Sequence, residues 1–503
     1  MLENYVKKIL NAKVYEAAIE TPLERARILS DRYQNDILLK REDLQPVFSF
    51  KIRGAYNKMA HLSVDQKAKG VVAASAGNHA QGLAESARRM GVKATIVMPH
   101  TTPEIKVASV KARGAKVILH GDAFDEAYAY SQKLVREKEL TYVHPYDDPY
   151  VIAGQGTIAV EVLNKVREPL HAVFIPVGGG GIIAGMAAYI KYLRPDIRVV
   201  GVEYEESACL KAALAAQERV ILPFVGIFAD GVAVAQIGQN TWEICKDHVD
   251  EVISCSADEI CAAIKDVFDD TRTVNEPAGA LAVAGMKKYI QREGIEGQTL
   301  VAVTSGANMN FDRLRYVAER AEVGEMREAL LAVTIDEQPG SFLKFCSAIG
   351  KRAITEFNYR FNDQHQANIF VGLKISDQQE RLAVCQMLQQ QGYAVVDLTD
   401  NEMAKAHIRH LVGGRTQGRL KESLFRFEFP ERPGALLNFL KQLGKGWNIS
   451  LFHYRNHGAA YGRVLVGLQV PESDLQLMEE QLKLIGYPFW NESDNPTNRL
   501  FLG

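Results

Sequence analysis

The sequence predicts an α/β protein: a two-lobed parallel-sheet domain over roughly the first 320 of 503 residues, followed by two small α+β modules. Three observations carry that prediction. Apolar, β-prone runs alternate with helical stretches through the first part, the pattern of strands covered on both faces by crossover helices. Past residue 325 this alternation stops. The stretch that replaces it then occurs a second time.

In the first part, VVAASA (71–76) precedes a helix near 78–91, KATIVMP (93–99) one over 103–113, and AKVILHG (115–121) one over 122–138. HAVFIPV (171–177) precedes a helix over 182–193, RVVGVE (198–203) follows, and LVAVT (300–304) supplies a later strand. One group of units near 50–145 and another after 150 predict two lobes with a cleft between them. We therefore read residues 1–320 as one domain, with a small lobe of roughly 50–145 inserted in the large one. The boundary falls in the charged, helix-prone run DRLRYVAERAEVGEMREA (312–329), with 321–329 as linker.

Modules are expected over 330–412 and 423–503. LLAVTIDEQPGSFLKFCSAIG, ITEFNYRF and ANIFVGLKI (within 330–375) are echoed by SLFRFEFPERPGALLNFLKQLG, ISLFHYRN and GRVLVGLQV (within 423–470). Pro339-Gly340 matches Pro433-Gly434, and Tyr359 matches Tyr454. Each copy reads strand, helix, strand, strand, helix, strand, the order of a ferredoxin-like sandwich.

Composition narrows the function. With 59 basic and 61 acidic side chains the formal charge is -2, which is no footprint for nucleic acid, so a small-molecule partner is expected. Six cysteines without a C-x-x-C pair argue against a disulfide framework and a structural zinc, and fit a reducing cytoplasm. No run of 18 apolar residues suggests a membrane span, and the N-terminal run mixes acids with bases, so a soluble, unprocessed chain is expected.

Four stretches can carry chemistry. Gly178, Gly179, Gly180 and Gly181 stand between a strand and a helix, where converging N–H groups and the helix N-terminus suit a phosphate. No Gly-Lys-Ser/Thr follows, which argues against a nucleoside-triphosphate loop. Gly179, Gly181 and Ala184 also satisfy G-x-G-x-x-A, with Glu203 where a ribose-binding acid would lie, so a nicotinamide oxidoreductase stays open. Ser75, Ala76, Gly77, Asn78 and His79 open a helix after a strand. They suit a carboxylate, or form an ordinary cap, and His79 alone reads as structural. Ser305-Gly306-Ala307-Asn308 ends a strand, as a ligand contact or as a turn. Lys51 follows the β-prone run PVFSF; a solvated lysine is the ordinary case, but a desolvated one attacks aldehydes.

Taken together, SFKIRGA (49–55), SAGNHAQG (75–82), the tetraglycine and SGAN (305–308) resemble the fold-type II pyridoxal-phosphate enzymes, specifically serine/threonine dehydratases. The duplicated tail resembles the ACT-like regulatory modules of the biosynthetic threonine dehydratases. The resemblance implies that Lys51 forms the internal aldimine with pyridoxal phosphate and Phe50 lies against its ring. It assigns Gly178 to Gly181 the 5'-phosphate, Asn78 the ring hydroxyl and Ser305 the pyridine nitrogen. The substrate carboxylate would dock on Ser75, Gly77, Asn78 and His79.

The implied reaction turns L-threonine into 2-oxobutanoate and ammonia, with L-serine a poorer substrate, as the first step of isoleucine biosynthesis. Racemases of this family place a second serine after the position of Ser75; Ala76 stands here and speaks for a dehydratase, although a serine dehydratase or racemase remains the alternative. Relatives with a divalent metal use several acids beyond the phosphate loop. Cys209 replaces one such acid, so no required metal is expected. The resemblance further implies a homotetramer, inhibition by isoleucine and opposition by valine. Tyr359 and Tyr454 are candidate effector contacts, or equally core or interface tyrosines. A non-catalytic amino-acid sensor built on the same lobes is opposed by the intact Lys51 and glycine motifs.

Overall fold

The computed structural model describes residues 1–336, 344, 345, 348–350, 352, 354–359, 366–410, 422–430, 439, 442, 447–455 and 461–502. It divides into two units, Met1–Val317 and Ala318–Gly503.

The strands of the first unit are, in chain order, β1 (Leu23–Arg25), β2 (Asp36–Arg41), β3 (Val71–Ala74), β4 (Ala94–Met98), β5 (Lys116–Leu119), β6 (Thr141–Tyr142), β7 (Leu170–Pro176), β8 (Arg198–Tyr204), β9 (Glu251–Cys255) and β10 (Thr299–Thr304). They form a six-stranded sheet, β1-β2-β10-β7-β8-β9, parallel except for the β1–β2 pair. The other sheet, β5-β4-β3-β6, is parallel throughout and is contributed by chain lying between β2 and β7. Their central strands β3, β7, β8 and β10 are buried on two faces, which explains their largely apolar sequences. On β10, Leu300 and Ala302 enter one core while Val301 and Val303 enter another. On β3, Val71 and Ala73 separate from Val72 in the same way.

In such sheets ligands bind beyond the carboxyl ends of the strands. Ser75 follows β3, Gly178 follows Pro176 of β7 by two residues, and Ser305 follows β10. The helix Lys51–Ala60 is clamped between helices Asn78–Met90 and Pro149–Lys165 at backbone distance. A Cβ on Gly54 would fall 2.8 Å from Val151 O, and one on Gly82 would fall 3.1 Å from the Lys51 carbonyl carbon. The glycine of K-I-R-G-A is there because two helices touch.

Before that helix the structure departs from the sequence reading. Residues 46–50 form turns rather than an extended run, with a single antiparallel bridge from Ser49 to Gly306. Phe48 takes φ +56°, rare for a bulky residue, and its carbonyl accepts the Ala307 N–H at 2.9 Å.

The strands of the second unit are β11 (Glu328–Asp336), β12 (Ile354–Tyr359), β13 (Gln366–Lys374), β14 (Ala394–Asp397), β15 (Glu422–Pro430), β16 (Asn448–Arg455), β17 (Tyr461–Gln469) and β18 (Phe489–Asn491). They make two antiparallel sheets of equivalent order, β12-β13-β11-β14 and β16-β17-β15-β18. Helices Gln378–Gln390 and Leu475–Ile485 precede the last strand of each. The two sheets share a core: Leu330, Ala332 and Phe370 of one meet Leu424 and Leu465 of the other. Glu402 accepts from Arg320 at 2.6 Å and also pairs with Arg463 on β17, tying the copies together. The Pro339-Gly340 and Pro433-Gly434 turns lie outside the described residues. Tyr359 and Tyr454 stand on the equivalent strands β12 and β16; their side chains also lie outside what is described.

Candidate functional site

Lys51 begins its helix directly after Phe50, whose N–H donates to Ser305 O at 3.2 Å. The lysine Nζ donates to Pro145 O at 3.1 Å and stands 5.3 Å from the Phe50 ring centroid. Burial pulls its pKa from 10.5 down to about 8, with Glu276 pulling the other way. A cation held from water gives up its proton more easily, so a nucleophilic amine is available near neutral pH.

Pro145 belongs to the loop that joins Lys51 to the glycines. Its neighbour Tyr146 lies on them so closely that a Cβ on Gly179 would fall 2.3 Å from the tyrosine ring. A Cβ on Gly178 would fall 2.9 Å from Val232 Cα, and Gly180 sits at φ +89°. Glycine is required by both space and conformation. Helix Gly181–Leu193 starts there, and Gly180 has no side chain with which to cap it. The first-turn N–H groups and the helix dipole therefore suit an anion, so the loop fits a phosphate group. Thr241 Oγ1 donates to Gly179 O at 2.8 Å, and the Asp147 carboxylate accepts the Gln239 and Asn240 N–H groups, fixing the flank.

Gly231, next to the Val232 that meets Gly178, leads to an amide relay: a Cβ on it would fall 3.8 Å from Asn78 Nδ2. Asn78 Nδ2 donates to Glu276 Oε1 at 2.5 Å, and Asn308 Nδ2 donates to Asn78 Oδ1 at 2.7 Å and to Val47 O at 2.8 Å. Ser305 Oγ donates to Ala278 O at 3.0 Å. A rotation of that hydroxyl would aim its proton elsewhere. Ser75 Oγ accepts the Gly77 and Ala80 N–H groups, both at 3.3 Å, shaping the loop before Asn78. The His79 ring is committed, since Nε2 donates to Val143 O at 2.8 Å and burial lowers its pKa to about 3. With that N–H committed, the neutral ring keeps only an acceptor nitrogen, so it is the backbone of His79 that can meet an anion.

Glu203 does not serve a ribose. It is fully buried, and its two oxygens accept the Leu210 and Lys211 N–H groups at 2.7 and 2.9 Å, capping helix Cys209–Ala216. The nicotinamide reading thereby loses its acid. Cys209 Sγ donates to Gly178 O at 3.3 Å. Among the described residues no group of three or more His, Cys, Asp or Glu is arranged to hold a metal, and no helix is long and apolar enough to cross a membrane.

The structure thus brings Phe50, Lys51, Asn78, Gly178 to Gly181 and Ser305 into one connected neighbourhood. Sequence reading missed Pro145, Tyr146 and Glu276. Asp148-Pro149 and Glu276-Pro277 are N-cap and N1 pairs that signal two helix starts locally, but not what these residues touch.

Residues 14–306 match the model of the family described as pyridoxal-phosphate dependent enzymes. With the lysine, the anion cradle and the strand-end loops in place, the chain belongs to that family. Residues 319–408 and 413–502 each match the C-terminal regulatory domain of threonine dehydratase. The chain is 58% identical over 502 residues to the biosynthetic L-threonine dehydratase IlvA of Burkholderia multivorans, covering 99% of both chains. It is 56% identical to the corresponding protein of Escherichia coli, covering 99% of this chain and 97% of that one. Within the larger family it therefore belongs to the biosynthetic threonine dehydratases. Its fold resembles that of processed threonine deaminase isoform 2 of Solanum lycopersicum at TM-score 0.63 and 48% identity, over 64% of this chain and 93% of that one. A serine racemase of Dictyostelium discoideum gives 0.57 at 28% identity, over 62% and 99%.

Proposed function

We propose that the chain eliminates water from L-threonine to release an enamine, which tautomerises and takes water back on hydrolysis to give 2-oxobutanoate and ammonia, and that it treats L-serine likewise but less well. The observation that carries this reading is the Lys51 amine of lowered pKa, which bonds to Pro145 O beside the Tyr146 that packs on the glycine cradle and follows Phe50, whose N–H bonds to Ser305 O. Bound pyridoxal phosphate supplies an aldehyde for amine capture and a conjugated sink for charge at the substrate α-carbon. Lys51 would hold the cofactor and, as a free amine, would take the substrate α-proton on Nζ. Gly178 to Gly181 hold the phosphate, Phe50 flanks the ring, and Asn78 donates to the ring hydroxyl.

Ser305 meets the pyridine nitrogen as a neutral hydroxyl, turning its proton from Ala278 O. A hydroxyl there, unlike a carboxylate, would not favour a protonated pyridine, and so would favour prompt β-elimination over slower side reactions. Ser75, Gly77, Asn78 and the backbone of His79 receive the substrate carboxylate at a helix N-terminus. Ala76 offers no acid or base where the racemases of the family place a serine.

The duplicated module is read as the effector site: isoleucine inhibits, valine opposes it, and the enzyme works as a cytoplasmic homotetramer in isoleucine biosynthesis. The relatives' biosynthetic names and the matched regulatory domains support this. Tyr359 and Tyr454 remain the proposed effector contacts. Turnover of L-threonine and L-serine by the purified holoenzyme tests the reading. We expect 2-oxobutanoate with a higher kcat/KM for threonine; a preference for serine, or no keto acid from either, would refute it.

A further inference from the structure

We propose that Glu276 is a positioning residue, which fixes the Asn78 amide so that one Nδ2–H is held for the ring hydroxyl of the cofactor. This rests on the role of Asn78 proposed above. Glu276 is buried at the N-cap of helix Pro277–Glu293. Its Oε1 accepts one Nδ2 hydrogen of Asn78, while Asn78 Oδ1 accepts from Asn308. Asn308 is itself oriented by Val47 O, so its amide cannot turn to accept. A flipped Asn78 would set its oxygen against the carboxylate and its NH2 against that of Asn308, two clashes of like polarity.

Only one orientation survives, and it leaves the second Nδ2 hydrogen for a ligand. The 305–308 loop closes on the same carboxylate: a Cβ on Gly306 would fall 2.3 Å from Glu276 Oε1. Burial, then Asp230, pushes the Glu276 pKa up to about 7, against Asn78, Lys106 and Arg313, which pull it down. Asp230 stays ionised because Arg313 and Lys106 outweigh its burial. The Lys51 amine also feels Glu276. The acceptor for Asn78 is thus a carboxyl whose charge changes near neutral pH.

The test is the dissociation constant of pyridoxal phosphate for the wild type, Glu276→Ala, Asn78→Ala and the double variant. Loss of one hydrogen bond or of its alignment should weaken binding about 10-fold in each single variant. The double should be no worse than the weaker single, since both act through one contact. Glu276→Gln, whose amide oxygen can still accept, should restore binding to within about 3-fold. Unchanged affinity in Glu276→Ala, or additive losses in the double, would overturn the proposal while leaving the role of Asn78 intact. Unchanged affinity in Asn78→Ala would instead refute the role of Asn78 and the proposal with it. Glu276→Gln also serves if the alanine variant does not fold. The visible band of the bound cofactor should shift with pH near 7 in the wild type and not in Glu276→Gln; the same response in both would overturn the proposal.

Discussion

Lys51 Nζ donates to the carbonyl of Pro145 at 3.1 Å, although 94 residues separate them in the chain. That bond ties the start of one helix to the loop against which the glycine cradle packs. The amine is thus partly withdrawn from water, with one neutral acceptor.

The first expected outcome concerns that amine. With a pKa of about 8 instead of 10.5, roughly a tenth of it is unprotonated at pH 7, against about one part in 3,000 for an ordinary lysine. Covalent capture of pyridoxal phosphate by the apoenzyme should therefore rise roughly 10-fold from pH 7 to 9 and level off. Stopped-flow absorbance measures it. A continuing rise of about 100-fold over that range would mean that Lys51 titrates as a solvated lysine.

Ser305→Asp should place a carboxylate at the pyridine nitrogen and favour its protonated form. Elimination should slow, by roughly 10-fold or more, and side products should gain share. Product ratios by chromatography decide. An unchanged partition between keto acid and side products would contradict the neutral role given to Ser305.

Arg53 stabilises the helix that Lys51 begins. Its guanidinium donates to Glu42 at 2.7 and 2.8 Å and to Glu161 at 2.6 and 3.0 Å, with Lys40 also bound to Glu161. Removing one member of such a buried set leaves uncompensated charge and costs about 3–5 kcal/mol. Arg53→Met should lower the melting temperature of the first unit by several degrees and loosen cofactor binding. A melting curve unchanged from wild type would show that Glu42 and Glu161 find other partners.

Removal of the chain after about residue 325 should leave an active enzyme that isoleucine no longer inhibits. The two compact units and the matched regulatory repeats motivate the cut. A coupling of about 1–3 kcal/mol, 5- to 150-fold in affinity, is what the tail must supply. Inhibition curves for the truncated chain and for Tyr359→Ala and Tyr454→Ala separate module from contact. Full inhibition after truncation would give the tail another role; inhibition kept only in the tyrosine variants would discard those two contacts alone.

Much of the scaffold was legible because its signals are local. β3, β7 and β10 lie where apolar runs meet small or polar residues, and the tetraglycine announces itself without knowledge of the fold. Glu276 could not be read this way, because its meaning comes from Asn78, 198 residues distant. Tyr146 looks like any loop aromatic until the fold brings it against Gly179. The PVFSF run reads as extended by propensity, yet tertiary contacts from Gly306 and Ala307 hold it in turns. Glu203 shows the converse: a sequence position that suits a ribose is occupied by a capping carboxylate.

Covalent trapping tests the role of Lys51 most directly. The purified holoenzyme should show a visible cofactor band that borohydride abolishes, and peptide mapping should then find a pyridoxyl group on Lys51. Lys51→Ala should lack both the band and the modified peptide, and its threonine turnover should fall by at least about 10²–10⁴-fold. A pyridoxyl group on another lysine, or near-normal turnover by Lys51→Ala, would contradict the assignment.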